Sequence, residues 1–167
     1  MATKADFTPE EWSQVLGSVM MAGMAVTLAD PSGLIGMTKE GLASGSALLA
    51  AKADPNANAL IKSVVADFET SEGRSAARGM LQGKLAGKNP SEMKQSLLEA
   101  LAQSATLVDA KAPDDSAGFK AWLQQISERV ANASSEGGFL GFGGVQVSDA
   151  EKATLDEISG ALKLTAG

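Results

Sequence analysis

Signals for helix starts recur along this chain, and they constrain its fold more than any other feature of the sequence. Thr8-Pro9-Glu10-Glu11 places a hydroxyl N-cap before Pro at the first helical position and Glu at the third, which is a capping box. The other four prolines also stand beside residues that suit a helix N-terminus, and Ser148-Asp149-Ala150-Glu151 is a capping box without proline. We therefore predict helices that begin within about two residues of Pro9, Pro31, Pro55, Pro90, Pro113 and Ser148.

Apolar residues between these signals recur at helical spacing, as in the run from Trp12 to Val19. Two weaker segments that contain glycine, near residues 32–52 and 72–87, complete the set of helices. No run alternates apolar and polar residues with a period of two, so we predict no strand. The fold class that follows is all-α: a single-domain bundle of about seven helices over residues 1–167, with a flexible tail at residues 1–7.

The chain contains no His, Cys or Tyr. This composition excludes Ser-His-Asp and Cys-His catalysis, disulfides, and metal sites built on imidazole or thiolate. A net charge of −6 argues against a nucleic-acid surface, which needs a clustered basic face. The uncharged run over residues 15–28 is shorter than the roughly 20 residues that a membrane-spanning helix needs. We expect no nucleic-acid partner, no membrane insertion, no bound transition metal and, by default, a cytoplasmic location.

Glycines are concentrated in and between the first two predicted helices. Six glycines lie in this part of the sequence: Gly17, Gly23, Gly33, Gly36, Gly41 and Gly45. A glycine inside a helix costs about 1 kcal/mol against alanine, and this cost is usually tolerated where two helices approach closely. Four methionines can fill irregular gaps around such a contact: Met20, Met21, Met24 and Met37. The pattern predicts a tightly packed seam of small residues, and a ligand pocket is the alternative interpretation.

Residues 136–147 form a glycine-rich loop that carries three large apolar residues, Phe139, Leu140 and Phe142. The loop has no G-x-x-x-x-G-K-[ST] motif and follows no strand, so a phosphate-binding loop is not predicted. Two interpretations remain open. The three side chains either fold back into the core, or they form an exposed hydrophobic interface for a protein partner or a second copy of the chain.

The segment from Asp67 to Arg74, with Arg78 beyond it, combines acids and arginines near a helix junction. Pairing of glutamate with arginine across the junction is one interpretation. Recognition of an anion by Arg74 and Arg78 is the other.

The two ends of the chain follow a common plan, in which a helix with a tryptophan leads into an acidic, glycine-containing turn and then into a helix with a glutamate. The plan suggests an internal pseudo-repeat of the N- and C-terminal helix pairs. Its segments, AGMAVTLADPSGL with Glu40 and ANASSEGG with VSDAEKATLDEI, resemble the tellurite-resistance B-like (TerB-like) family of small all-helical domains. The resemblance implies that acidic residues hold a metal ion.

Carried onto this sequence, the resemblance nominates Asp30 and Glu40 in the first half and Glu136 and Glu151 in the second. The ion would be Ca²⁺ or Mg²⁺, because these cations prefer oxygen ligands. The competing explanation for Glu151 is structural, since a glutamate in a first helical turn caps the backbone.

The function that the sequence favours is a non-enzymatic helical binding or scaffolding module that self-associates. A carboxylate-based metal-binding protein of the tellurite-resistance B-like type is the first alternative. An acid-dependent hydrolase is the second, and it has no sequence motif behind it.

Overall fold

A computed structural model of the protein describes residues 1–29, 44–135 and 147–164. Every regular element in these ranges is a helix and none is a strand, which confirms the predicted all-α class. The seven α-helices found there are α1 (Pro9–Thr27), α2 (44–53), α3 (Ala59–Phe68), α4 (Ser71–Leu85), α5 (Pro90–Lys111), α6 (Pro113–Ser135) and α7 (Asp149–Ala161). A short 3-10 helix, Lys4–Asp6, precedes them.

Local capping chemistry sets most of the helix starts, as predicted. α1, α5 and α6 begin at Pro9, Pro90 and Pro113, and α7 begins directly after its N-cap, Ser148. Full capping boxes form at the starts of α1, α5 and α7, so orphan backbone N–H groups are satisfied there. Pro31 lies outside the described residues.

The predicted helix start at Pro55 is wrong. α3 begins four positions later, at Ala59, with the Asn58 side chain accepting from the Ile61 N–H. The Asp54 carboxylate instead accepts from the Asn56 N–H at 2.8 Å and closes a turn around Pro55. Aspartate followed by proline suits the first two positions of a β-turn as well as a helix start, and here the turn forms.

α1 is the central helix of the bundle. It packs against α4, α5 and α6 and also contacts α3 and α7. The largest fully buried side chains come from α1, α3, α5, α6 and the C-terminal end of the chain: Leu16, Met21, Leu60, Leu97, Leu101, Phe119, Leu123, Ile126, Ile158 and Leu162. These positions lie on the apolar faces of their helices, so one continuous core joins the elements.

Residues 1–7, for which the sequence predicted a flexible tail, pack against the bundle. Ala2 and Phe7 are buried, and the Ala2 backbone N–H donates to the buried Asp115 carboxylate at 2.5 Å. The Phe7 ring lies 5.6 Å from the ring of Trp12, centroid to centroid. A buried carboxylate and an aromatic contact thus hold the segment against α1 and α6.

No helix within the described ranges has both the length and the apolar character needed to cross a membrane.

Candidate functional site

A pocket of about 300 Å³ opens between α1, α2, α4 and α6. We call it the glycine pocket, because Gly23 of α1 and Gly45 of α2 both line it. Its apolar wall is formed chiefly by Val19, Met20, Met24, Leu48, Phe68 and Leu81. Arg74 and Arg78 of α4 complete it, so the site combines a largely apolar surface with two permanent positive charges.

The glycines explain why space remains at this place in the bundle. A Cβ atom on Gly23 would lie 3.0 Å from the Ser44 hydroxyl oxygen and 3.3 Å from a Val130 methyl group, so α1 approaches its neighbours closely here. A Cβ atom on Gly45 would meet nothing within 4 Å. Close approach at Gly23 and open space at Gly45 border a cavity, and two residues of its apolar wall, Met20 and Met24, have flexible side chains.

The structure therefore contains both a tightly packed seam and a pocket. Gly17 packs tightly against α4, where an added Cβ would lie 2.7 Å from Met80 Cγ. Gly23 and Gly45 border the pocket. Gly33, Gly36 and Gly41 lie outside the described residues.

Arg74 is held beside the pocket by backbone contacts. Its Nη1 donates to the carbonyl oxygens of Phe68 and Glu69, at 2.9 Å each, at the C-terminal end of α3. The Glu69 carboxylate pairs with Lys52 rather than with Arg74. Arg78 stands one helical turn further along α4, on the same face of the helix.

Neither arginine forms an ion pair with a carboxylate among the residues that the structure describes. Pairing of glutamate with arginine across the α3–α4 junction is therefore wrong for these side chains. The carbonyl partners of Arg74 carry only partial negative charge. Hydrogen bonds from its own backbone and from Ser71 lower the pKa of Glu72, and the nearby charge of Arg74 lowers it further, so Arg74 has a carboxylate in its surroundings although none in direct contact. The remaining interpretation of Arg74 and Arg78 is that they recognise an external anion.

Glu151 is the one member of the predicted metal set within the described residues. It is only 3% exposed, and its Oε2 accepts from the Ser148 N–H at 2.8 Å and from the Ser148 hydroxyl at 3.0 Å. The bond from the Ser148 N–H belongs to the α7 capping box, whose second bond runs from the Glu151 N–H to the Ser148 hydroxyl oxygen at 3.2 Å. Asp30, Glu40 and Glu136 lie outside the described ranges, and within those ranges no three acidic residues group as metal ligands would.

Phe139, Leu140 and Phe142, the predicted interface residues, also lie outside the described residues. The same is true of the two turn segments of the predicted pseudo-repeat, 30–43 and 136–146.

Asp67 is the centre of a polar cluster that was not predicted from the sequence. Its Oδ2 accepts from Trp12 Nε1 at 2.6 Å and from Lys4 Nζ at 2.9 Å, so it ties α3 to α1 and to the N-terminal segment. Partial burial alone would raise the pKa of Asp67, but the hydrogen bonds from Trp12 and Lys4, with the charge of Lys4, hold the pKa below its ordinary value. The partners are 55 and 63 positions away in sequence, so no local pattern signals the cluster.

A second cluster joins α5 to α6. Asp109 accepts from Lys120 Nζ at 2.8 Å and from the Ser116 hydroxyl. The hydrogen bonds from Lys120 and Ser116 lower the pKa of Asp109. Both clusters stabilise ionised carboxylates by donors from the chain itself, which is the arrangement of a structural ion pair rather than of a general acid.

Comparisons with protein-family models, with curated proteins and with solved structures found no match for this chain.

Proposed function

We propose that this chain is a non-enzymatic binding protein and that its ligand site is the glycine pocket. The observation that carries the proposal is the chemistry of the pocket wall. It is apolar apart from Thr27, Ser44 and the two arginines, and the described lining includes no carboxylate and no lysine. Such a surface suits binding, because proton transfer needs a titratable acid or base within reach of the ligand.

The size of the pocket supports the same proposal. Ligand pockets are typically concave, mostly apolar and roughly 300–1,000 Å³ in volume, with a few polar groups that orient the ligand. The glycine pocket, at about 300 Å³, lies at the lower end of that range. Met20 and Met24 on its wall are unbranched side chains that adjust to the shape of a ligand at little cost.

Binding of the neutral fluorescent probe N-phenyl-1-naphthylamine tests this function. We expect saturable enhancement of its fluorescence by the wild-type protein. Gly45→Leu should abolish the enhancement, because Gly45 lines the pocket and a larger side chain there can occupy its space without a clash near the Cβ atom. Helical glycine also costs about 1 kcal/mol, so the substitution favours the fold of α2.

Gly160→Leu is the matched control. Gly160 is also a helical glycine with nothing within 4 Å of an added Cβ, but it lies on α7 and does not line the pocket. Its variant should bind the probe like the wild type. Equal binding by the wild type and Gly45→Leu, or no saturable binding by the wild type, would contradict the proposed site.

Self-association is the second part of the proposal, as the sequence favours it. It depends on Phe139, Leu140 and Phe142. The glycines beside them raise the conformational entropy lost when this segment becomes ordered, so burial of the apolar side chains away from water has to offset that loss. A protein partner or a second copy of this chain can supply that burial.

The two alternative functions gain less support from the described residues. The Glu151 carboxylate already caps α7, which weakens its case as a ligand for Ca²⁺ or Mg²⁺. An acid-dependent hydrolase needs a carboxyl group whose pKa is raised. The described carboxylates with a shifted pKa, Glu11, Asp67, Glu72 and Asp109, all have it lowered.

A further inference from the structure

We infer that the glycine pocket takes an anionic amphiphile, with an unbranched alkyl chain among its apolar residues and a carboxylate at Arg74 and Arg78. The inference deepens the proposed function and rests on it. It names the chemical class of the ligand, whereas the proposed function needs only that an apolar molecule binds.

The distribution of charge favours an anionic ligand. The protein has a net charge of −6, yet two of its three arginines line this one pocket. In the described part of the chain neither forms a direct ion pair, although Arg74 lies close enough to Glu72 to contribute to the lowered pKa of that carboxylate. A guanidinium is always charged and presents N–H donors in a planar fork that matches a carboxylate. The pocket is therefore a local positive site on a negative protein.

The positions of the two arginines on α4 allow both of them to contact one anion. They are four residues apart, so both reach the same side of the helix. The two carbonyl contacts of Arg74 occupy Nη1 and fix its guanidinium, which reduces the entropy lost when an anion binds. Arg78 has no such contact among the described residues, so its side chain can close on the anion.

The apolar surface beyond the pocket favours a ligand with an alkyl chain. Gly45, Leu48 and Phe68 line both the glycine pocket and an adjoining groove between α2 and α3. The groove leads past Leu49, which is 69% exposed and is one of two large apolar side chains with that degree of exposure in the described residues. Ser46 and the Lys52–Glu69 ion pair also border the groove, but Leu48, Leu49, Val65 and Phe68 give it a mostly apolar surface. An elongated apolar surface of this kind suits an alkyl chain better than a compact ring.

Isothermal titration with dodecanoate, 1-dodecanol and dodecyltrimethylammonium tests the inference, with the two ions below their critical micelle concentrations and the alcohol below its solubility limit. These three ligands share the alkyl chain and differ in the charge of the head group. We expect dodecanoate to bind more tightly than the alcohol by about tenfold or more, because hydrogen bonds to charged groups are the strong ones. The cation should bind more weakly than the alcohol, because two positive charges face it.

Arg78→Gln should weaken dodecanoate binding by about tenfold or more and leave 1-dodecanol binding unchanged. Arg129→Gln is the matched control, because Arg129 is the third arginine and lines a different pocket. It should bind all three ligands like the wild type. Thermal melts of both variants show whether the fold is intact. Arg78 is a better position for the substitution than Arg74, because Arg74 also donates to backbone carbonyl oxygens at the C-terminal end of α3.

The chain length of the ligand gives an independent readout. Across octanoate, decanoate and dodecanoate, each added methylene that enters the apolar surface should tighten binding by about fourfold. A flat series would overturn the assignment of the alkyl chain to the pocket.

The two proposals fail in different ways. If dodecanoate and 1-dodecanol bind equally and Arg78→Gln affects neither, the anionic class is refuted while the binding function stands. If dodecanoate binds Gly45→Leu as it binds the wild type, the ligand lies elsewhere and the inference is overturned. If neither dodecanoate nor the neutral probe binds, the proposed function itself is refuted.

Discussion

The packing around Gly17 of α1 predicts how a substitution there changes the stability of the protein. An added Cβ would lie 2.7 Å from Met80 Cγ, 2.9 Å from Met80 Cβ and 3.2 Å from Met21 Cε. Because Met80 Cβ is attached to the backbone, rotation of the Met80 side chain does not remove the clash, and α4 has to shift away from α1. Overpacking of this kind costs roughly 1–3 kcal/mol.

The intrinsic preference of the helix acts in the opposite direction. Alanine in place of a helical glycine favours the helix by about 1 kcal/mol. Gly17→Ala should therefore lower the free energy of unfolding by a net amount of roughly 0–2 kcal/mol. Gly79→Ala, on α4, has nothing within 4 Å of the new Cβ and should raise the free energy of unfolding by about 1 kcal/mol.

Urea denaturation and thermal melts of the two variants measure this difference. We expect Gly79→Ala to be more stable than Gly17→Ala by roughly 1–3 kcal/mol, with about 2–4 °C in Tm for each kcal/mol in a chain of this size. If Gly17→Ala is as stable as Gly79→Ala, then α1 and α4 do not meet as closely as described, and the packing that shapes the glycine pocket is wrong.

Two further predictions concern the Asp67 cluster and the glycine-rich loop. Trp12→Phe removes a donor to an ionised carboxylate and should cost roughly 1.5–3 kcal/mol of unfolding free energy near neutral pH. Because the pKa of Asp67 is lowered in the folded protein, this stabilisation is present above the ordinary aspartate pKa and is lost as the pH falls through the folded pKa. The unfolding free energies of the wild type and Trp12→Phe should therefore converge in acid. A difference in unfolding free energy that does not change with pH in urea titrations would contradict the assignment. If Phe142 forms an interface, Phe142→Ala should weaken self-association in sedimentation runs at several concentrations while leaving the melting of the monomer nearly unchanged. Unchanged assembly with a loss of roughly 3–5 kcal/mol would place Phe142 in the core instead.

The features of the fold that could be predicted from the sequence are those set by neighbouring residues. Thr8, Asn89 and Ser148 each cap a helix through a residue three positions away, so the signal and its effect lie in the same few residues. Pro55 shows the limit of that reasoning. Aspartate before proline is compatible with a turn and with a helix start, and only the geometry distinguishes them.

The candidate site was less predictable, because it depends on contacts between distant segments. The concentration of glycines around Gly23 and Gly45 indicated either a seam or a pocket, but the choice depends on what faces each glycine from α2, α4 and α6. Arg74 and Arg78 were recognised as a pair that could bind an anion. Their position beside an apolar pocket results from the packing of α4 on α1, which no spacing in the sequence encodes.

Methionine methyl groups report most directly on whether a ligand enters the glycine pocket. The measurement is a ¹³C-methyl methionine NMR titration of the wild-type protein with dodecanoate, with resonances assigned by single substitutions. Met20 and Met24 line the pocket, whereas Met93 on α5 does not. The account predicts that the Met20 and Met24 resonances shift in a saturable way and that the Met93 resonance stays in place. Unshifted Met20 and Met24 resonances at saturating dodecanoate would contradict it.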